Sequence, residues 1–342
     1  MSVTRAVNSG LSDINTVHEI TMVEAVTLAL RRAMTEDPTV VVLGEDVATN
    51  GGVFRATEGL KTEFGFKRVL DTPLAESMIA GISIGMATHG MRPVAEIQFM
   101  GFIFAAMEQI VCHAARMRNR TRGRLHCPLV IRAPFGGGIG APEHHSESTE
   151  ALFAHIPGLR VVIPSSPVRA YGLLLSAIRN PDPVLFLEPK RIYRIVRQRV
   201  VDSGKGLPLD TCFTLRQGDD ITLVSWGAMM HETLQAATQL QRRGVNADVI
   251  DVATISPLDM TTIIRSVRHT GRCVIVQEAA RSGGIASEIS ARVAEEAMPW
   301  LQSPVQRVTG FDTPMPYPRH EHYYLPTAAD IVRACERTLG VL

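Results

Sequence analysis

Short apolar segments alternate with helical patterns along most of this chain, and no other feature of the sequence constrains the fold as strongly. In the first half these segments cover residues 40–43, 68–70, 94–99, 129–133, 161–163 and 184–187. Strands that are buried on both faces have continuous apolar sequences, and the helices between them form the crossovers of a parallel sheet. The pattern therefore predicts an α/β domain with a doubly wound, mostly parallel sheet.

The alternation stops near residue 188 and starts again near residue 220. The intervening stretch is rich in basic residues, glycine and proline, which is typical of a linker that crosses a surface. Four further apolar segments then alternate with helical patterns, at residues 221–225, 248–252, 273–277 and 305–308. We therefore predict an N-terminal tail (1–19), a first domain (20–190), a linker (191–219) and a smaller α/β domain (220–342); a chain of 342 residues is long enough for two cores.

The composition narrows the class of function. The formal net charge is +1, so no basic excess points to nucleic acid. The five cysteines form no C-x-x-C pair, which favours reduced thiols over disulfides or a zinc site. No apolar run is long enough for a membrane span, and the N-terminal segment lacks the apolar core of a signal peptide. We expect a cytoplasmic protein, without membrane or nucleic-acid contacts, whose partners are proteins and small molecules.

One acidic residue stands out at the start of a predicted helix. The stretch Asp-Thr-Pro-Leu-Ala-Glu-Ser at residues 71–77 follows a predicted strand, and open α/β sheets bind ligands at the carboxyl ends of their strands. Glu76 in this stretch either serves the helix dipole or takes part in chemistry. Gly81 and Gly85 would let the helix pack closely against a neighbour and desolvate Glu76, as a proton-exchanging carboxyl requires.

Two other stretches belong to the same edge of the predicted sheet. Gln98 and Phe102 follow the next strand, where a phenylalanine is either a core residue or a platform for a cofactor. A glycine-rich loop at 136–140 precedes His144 and His145, but its spacing is not G-x-G-x-x-G and it follows the fourth strand of its domain. This pattern favours a flexible hinge that presents one histidine into a cleft over a dinucleotide site.

Several longer motifs resemble the β subunit of the E1 component of branched-chain 2-oxo acid dehydrogenase and its pyruvate dehydrogenase relatives. The resemblance extends over nearly the whole chain from about Ile20, and it rests on LGEDV, GGVFRATEGL, DTPLAES, RPVAEIQF, HHSESTEALFAHIPGL, VVIPSSP, GLLLSAI, FLEPKRIYR, GRCVIVQEA, ASEIS and RVTGFDTPMPY. It implies a transketolase-type pyrimidine-binding domain followed by a smaller α/β transketolase C-terminal domain. It also implies an α2β2 heterotetramer in which a separate E1 α subunit completes the active site.

The same resemblance assigns roles to individual residues. It implies that Glu76 is a catalytic carboxyl that hydrogen-bonds N1′ of the aminopyrimidine of thiamine diphosphate. Leu74, Gln98 and Phe102 match positions that line the pyrimidine pocket. His145 matches a histidine that faces the substrate and the lipoyl channel, whereas His144 does not. The diphosphate and its Mg²⁺ are assigned to the α subunit, because this chain lacks the G-D-G motif that would hold them.

The implied reaction is the oxidative decarboxylation of a 2-oxo acid, with transfer of the acyl group to a lipoyl-bearing E2 acyltransferase. EIQF, VVIPSSP and FLEPKRIYR favour a branched-chain substrate, with a pyruvate- or acetoin-type enzyme as the alternative. Outside the family, the alternatives are a nicotinamide-dependent oxidoreductase and a non-catalytic assembly subunit.

Some relatives bind a structural potassium ion through backbone carbonyl groups. The matching region here lies near Leu129, Ala177, Asn180 and Asp182. Val130 occupies a position that carries a hydroxyl group in such sites. The resemblance implies potassium as a further cofactor, in addition to thiamine diphosphate, although Val130 has no hydroxyl group.

Overall fold

The computed structural model describes residues 16–340. Its strands are β1 (Thr16–Thr21), β2 (Val40–Gly44), β3 (Val69–Asp71), β4 (Arg92–Glu96), β5 (Val130–Phe135), β6 (Arg160–Val162), β7 (Val184–Pro189), β8 (Arg197–Asp202), β9 (Phe213–Arg216), β10 (Ile221–Ser225), β11 (Ala247–Asp251), β12 (Thr254–Ser256), β13 (Cys273–Ala280) and β14 (Gln306–Gly310). Its α-helices are α1 (Met22–Glu36), α2 (Leu60–Phe64), α3 (Glu76–Thr88), α4 (Met117–Arg120), α5 (Glu150–Ala154), α6 (Pro167–Arg179), α7 (Met229–Gln241), α8 (Met260–Thr270), α9 (Ile285–Ala297), α10 (Glu321–Tyr324) and α11 (Ala328–Leu339). None of these helices is long and apolar enough to cross a membrane.

The first domain is built on a seven-stranded sheet with the order β12-β6-β7-β5-β4-β2-β3. All neighbouring strands are parallel except β12, which is antiparallel to β6. Helices α1 and α6 pack together on one face, and α3 and α5 contribute to the core on the other. The predicted doubly wound, mostly parallel sheet is confirmed.

The second domain contains a five-stranded sheet with the order β14-β13-β10-β11-β9. Only β9, at one edge, is antiparallel to its neighbour. The apolar residues of α7 and α11 form a core on one face, and those of α8 and α9 pack on the other. The predicted smaller α/β domain is therefore also confirmed.

The ends of the first domain differ from the sequence expectation. Residues 1–15 of the predicted tail lie outside the described residues, but its last residues belong to β1, which pairs antiparallel with β8. Strands β8 and β9 both fall within 191–219, the segment predicted to be a linker that crosses a surface. Each is stabilised by pairing with a strand distant in sequence, so local periodicity gives no signal for it.

The segment after β4 is not one continuous α-helix. It contains a 3₁₀ segment (Met100–Ala106), a π-helical segment (Gln109–Ala114) and then α4. A Cβ atom at Gly101 would lie 2.0 Å from the carbonyl oxygen of His144, so the loop that carries the histidines passes directly over this segment. Helix α1 begins with a capping box formed by Thr21 and Glu24.

Candidate active site

Three segments that the sequence analysis selected separately meet at the carboxyl edge of the first sheet. Gly44, the last residue of β2, pairs with the last residue of β3 on one side and of β4 on the other. The amide of Thr72 donates a hydrogen bond of 2.9 Å to the carbonyl oxygen of Gly44 and so turns the chain towards α3. The residues that follow the three strands, 45–47, 72–76 and 97–102, therefore lie side by side.

Glu76 is the first residue of α3, and its side chain is half-buried. Leu74, two residues earlier, is 80% exposed, which is unusual for a leucine at the edge of a large core. A Cβ atom at Gly81 would lie 3.8 Å from Oε1 of Gln109, but one at Gly85 would meet open space. The close packing that the sequence predicts for α3 is therefore only partly provided by residues 16–340.

Glu45 is a residue of this edge that the sequence analysis did not single out. Its side chain is 6% exposed, and its Oε1 atom has no hydrogen-bond partner among the described residues. Burial, reinforced by the negative charge of Glu76, raises the pKa of Glu45, so this carboxyl holds a proton more readily than an exposed glutamate does. The available signal was the position of an acid immediately after a fully buried strand, in LGEDV.

Phe102 and His145 belong to one aromatic cluster. The centroid of the Phe102 ring lies 5.1 Å from that of His145 and 5.2 Å from that of His144. Phe99 contacts the His145 ring from another side, at 4.6 Å. The Nδ1 atom of His145 is buried without a hydrogen-bond partner among the described residues. Gln98 is half-buried on the same segment as the two phenylalanines.

The glycine-rich loop is anchored to the second domain. The amides of Gly137, Gly138 and Gly140 donate hydrogen bonds to the carboxylates of Glu278 and Glu321. These amides are therefore not available to cradle a dinucleotide pyrophosphate. The expected flexible hinge is instead a loop held by two acidic side chains.

A buried charge network lies in the sheet beneath the site. Arg132 of β5 donates two hydrogen bonds of 2.7 Å to Glu188 of β7 and also pairs with Glu96 of β4. Tyr193 donates to Glu188 as well. Desolvation raises the pKa of Glu96, while the charge of Arg132 opposes that shift. The sequence analysis did not identify this network.

The residues near the predicted potassium site come together at the end of α6. The carbonyl oxygen of Leu129 accepts the amide of Val184 at 2.9 Å, and that of Ala177 accepts the amide of Asn180 at 3.2 Å. The guanidinium of Arg92 donates to the carbonyl oxygens of Ile178 and Asn180, at 2.9 and 3.3 Å. A potassium ion would have to share these carbonyl groups with a cation of the chain itself.

A cavity of about 1190 Å³ lies close to this region and away from Glu76. It is lined by Arg116, Arg118, Arg122 and Arg160, together with Asp182, whose carboxylate accepts from Arg118 at 2.8 Å. The first three arginines are exposed. Size alone does not make this cavity the active site, since none of the residues predicted to bind thiamine diphosphate lines it.

Comparison with known proteins agrees with this geometry. The model of the family described as "Transketolase, pyrimidine binding domain" matches residues 18–196, and that of "Transketolase, C-terminal domain" matches residues 211–331. The chain is 47% identical over 321 residues to "Pyruvate dehydrogenase E1 component subunit beta" of Bacillus subtilis, an alignment covering 94% of this chain and 99% of the relative. The chain belongs to the E1 β-subunit family.

Further E1 β relatives and one solved structure extend this comparison. The protein of the same name from Acholeplasma laidlawii is 49% identical over 307 residues, which cover 90% of this chain and 94% of that protein. A solved structure titled "Split gene transketolase, inactive beta4 tetramer" superposes with a TM-score of 0.76 at 25% identity, covering 94% of this chain and 99% of that one. The transketolase-type fold of both domains is thereby confirmed.

Proposed function

We propose that this E1 β chain works with a separate α chain in the oxidative decarboxylation of a 2-oxo acid and in acyl transfer to a lipoyl-bearing E2 acyltransferase. The observation that carries this proposal is the carboxyl edge of the first sheet, where Glu76 begins α3 beside Glu45 and an exposed Leu74. An acid at the strand ends of an α/β sheet is placed for proton exchange with a bound ligand.

The residues at this edge fit the aminopyrimidine of thiamine diphosphate. An aminopyrimidine needs a carboxyl partner for its ring nitrogen and apolar contacts for its faces, and we assign these roles to Glu76 and to Leu74 with Phe102. Gln98 would bind the polar edge of the ring. When bound, thiamine diphosphate supplies a carbon nucleophile and an electron sink for decarboxylation. Glu76 would hold the proton at N1′. The nearby Glu45, whose pKa is raised by burial and by the charge of Glu76, would retain its own proton more readily than an exposed glutamate does.

We assign the diphosphate and Mg²⁺ to the α chain. Among residues 16–340, no group of three or more His, Cys, Asp or Glu side chains is arranged to hold a metal ion. The nearest sequence match to an acidic-glycine motif is Gly218-Asp-Asp220, and its acids serve the second domain. Asp219 contacts His269 at 2.7 Å, and Asp220 accepts the amide of Asn246 at 2.6 Å.

We assign to His145 the step in which the acyl group leaves for the lipoyl group. Its ring lies against Phe99 and Phe102, and its buried Nδ1 atom has no hydrogen-bond partner among the described residues. Histidine can donate a proton near neutral pH, as the opening of a dithiolane ring requires. These features support a role in substrate handling over one in packing the loop.

The relatives favour pyruvate over a branched-chain substrate. The sequence motifs EIQF, VVIPSSP and FLEPKRIYR suggested the branched-chain type, but the relatives described above are named pyruvate dehydrogenase subunits, and they do not support that preference. We therefore propose the pyruvate-type enzyme, which was the alternative. The cytoplasmic location remains a prediction.

The test is co-expression with the α chain, followed by purification of the complex and an assay with an artificial electron acceptor. We expect Mg²⁺-dependent thiamine diphosphate binding by calorimetry to the complex but not to the β chain alone, and a higher kcat/KM for pyruvate than for 2-oxoisovalerate. A clear preference for 2-oxoisovalerate would restore the branched-chain assignment. Decarboxylation of neither acid by a stable complex would leave a non-catalytic assembly subunit, and tight coenzyme binding to the β chain alone would contradict the shared site.

A further inference from the structure

The glycine-rich loop and the second domain meet through hydrogen bonds to which the proposed function gives no role. The amide of Gly137 donates to Oε1 of Glu278 at 2.6 Å. The amides of Gly138 and Gly140 donate to the two carboxylate oxygens of Glu321, at 2.6 and 2.9 Å. Glu278 lies in β13 and Glu321 begins α10. Two acids of the second domain thus bind three backbone amides of one loop in the first.

The contacts around this loop explain why it is rich in glycine. Gly136, Gly138 and Gly140 have φ values of +83°, +88° and +68°, in the left-handed region that favours glycine. A Cβ atom at Gly137 would lie 2.4 Å from Cε of Met315, and one at Gly138 would lie 2.1 Å from Cδ of Arg191. The glycines therefore leave room for Met315 and Glu278 of the second domain, and for Arg191, close to the loop backbone.

Both acids are buried, and positive groups surround them. Glu278 is 5% exposed and Glu321 is 8% exposed. The ammonium group of Lys190 donates to the carbonyl oxygen of Gly136. Burial lowers the pKa of Lys190 to about 8, and the charges of the two acids oppose this shift. The hydroxyl of Ser148 donates to Glu278 at 3.0 Å. Hydrogen bonds to an ionised carboxylate are stronger than neutral ones, and a buried amide without its acceptor is destabilised.

The anchored loop leads directly to His145. The chain leaves β5 at Phe135, passes the three anchored amides, and reaches His145 five residues after Gly140. On its return the carbonyl oxygen of Glu147 accepts the amide of Gly136 at 2.8 Å, which closes the loop. Both the loop base and its middle are therefore fixed, and the position of the His145 ring over Phe102 depends on them.

We infer that Glu321, together with Glu278, is a positioning residue that holds the His145 loop in its working geometry from the second domain. This inference rests on the proposed function of His145. Their carboxylates accept hydrogen bonds from the loop amides and from Ser148 just after His145, so they act through His145 rather than on the substrate. The second domain thereby contributes to the site without entering it.

The first test is amide hydrogen exchange on the complex of α and β chains. Glu321→Ala removes both acceptors, and we expect exchange across residues 137–146 to rise by about tenfold or more, as for loss of charge-assisted hydrogen bonds. Glu321→Gln keeps one acceptor oxygen and should give an intermediate increase, which also guards against misfolding of the alanine variant. Glu295→Gln, an exposed glutamate on α9, is the matched control and should leave exchange unchanged.

The second test compares two assays of the same complexes. His145→Ala serves as the reference and should lower overall activity with lipoyl-E2 more than decarboxylation read with an artificial electron acceptor. Glu321→Ala should lower the ratio of these activities in the same direction, and Glu321→Gln should recover part of it. Unchanged exchange in the loop, or equal losses in both assays with a lower melting temperature, would overturn the inference. An inactive wild-type complex would overturn the proposed function instead. Hydrogen exchange of the loop amides would then be the one remaining test of whether Glu321 anchors the loop.

Discussion

Acidic side chains lie both in the interior and at the carboxyl edge of the first sheet, but they differ in whether other side chains of the chain pair with them. In the interior, Arg132 pairs with Glu96 and Glu188. At the edge, Oε1 of Glu45 and Nδ1 of His145 have no partner among the described residues. A buried polar group without a partner costs free energy, so such groups persist where something outside the chain binds them. The interior charges are paired within this chain, whereas the edge leaves two buried polar atoms unpaired among the described residues, as the proposed ligand site would need.

The largest effect should come from breaking the interior. Arg132→Met leaves Glu96 and Glu188 as buried charges without their partner, which typically costs about 3–5 kcal/mol of unfolding free energy. Arg31→Met is the control, because it removes an exposed pair with Glu63 whose atoms are 2.7 Å apart, a contact worth roughly 1 kcal/mol or less. Urea unfolding of the two variants measures this contrast. Equal, small losses would mean that the network does not stabilise the sheet.

Glu76→Gln should lower activity with little effect on stability, in contrast to Arg132→Met. In the complex with the α chain we expect turnover to fall by about two orders of magnitude or more, which is a typical contribution of a general acid or base. Stability should change by less than about 1 kcal/mol, because an acid in the first turn of a helix contributes little more than its interaction with the dipole. Glu288→Gln, in the first turn of α9, is the matched control. Near-normal turnover of the Glu76 variant would exclude a catalytic role.

The pH dependence of stability should reveal the buried acid Glu150, which begins α5. Burial raises the pKa of this residue to about 8, although the indole N–H of Trp226 donates to it at 3.3 Å. Between the usual value of a glutamate and pH 8 the folded chain keeps a proton that the unfolded chain releases, so stability falls as pH rises through this window. Glu150→Gln abolishes this titration, and its melting temperature relative to wild type should rise from pH 5 to pH 8. Parallel curves for the two proteins would contradict the shift.

The sequence predicted the central strands of both sheets because their apolar character is local. It also selected the cleft, since Glu76, Gln98 and Phe102 each follow a predicted strand and parallel strands end at one edge. Strands β8 and β9, within the predicted linker 191–219, were not identified because they depend on pairing with distant strands. The contacts of a strand with its neighbours are invisible in its own sequence.

The function of the glycine-rich loop was missed for a related reason. Its spacing argued against a dinucleotide site, but nothing local indicated that Glu278 and Glu321, about 140 and 180 residues away, bind its amides. The network of Arg132 was hidden in the same way, because its three charges come from three strands. Buried charges on separate elements are recognised only when the fold brings them together.

The smallest expected effect concerns the predicted potassium ion, at another place where a charge of the chain meets backbone carbonyl groups. Arg92 already donates to the carbonyl oxygens of Ile178 and Asn180, so potassium would add little positive charge there. Replacing NaCl by KCl should therefore raise the melting temperature by only about 1–3 °C, as for a weakly bound ligand. Arg92→Ala frees these carbonyl groups and should enlarge the difference between the two salts, although the variant itself will be less stable. Comparing the salt effect within each protein separates the two contributions. Identical melting temperatures in both salts, for wild type and variant alike, would rule out a potassium site in this region.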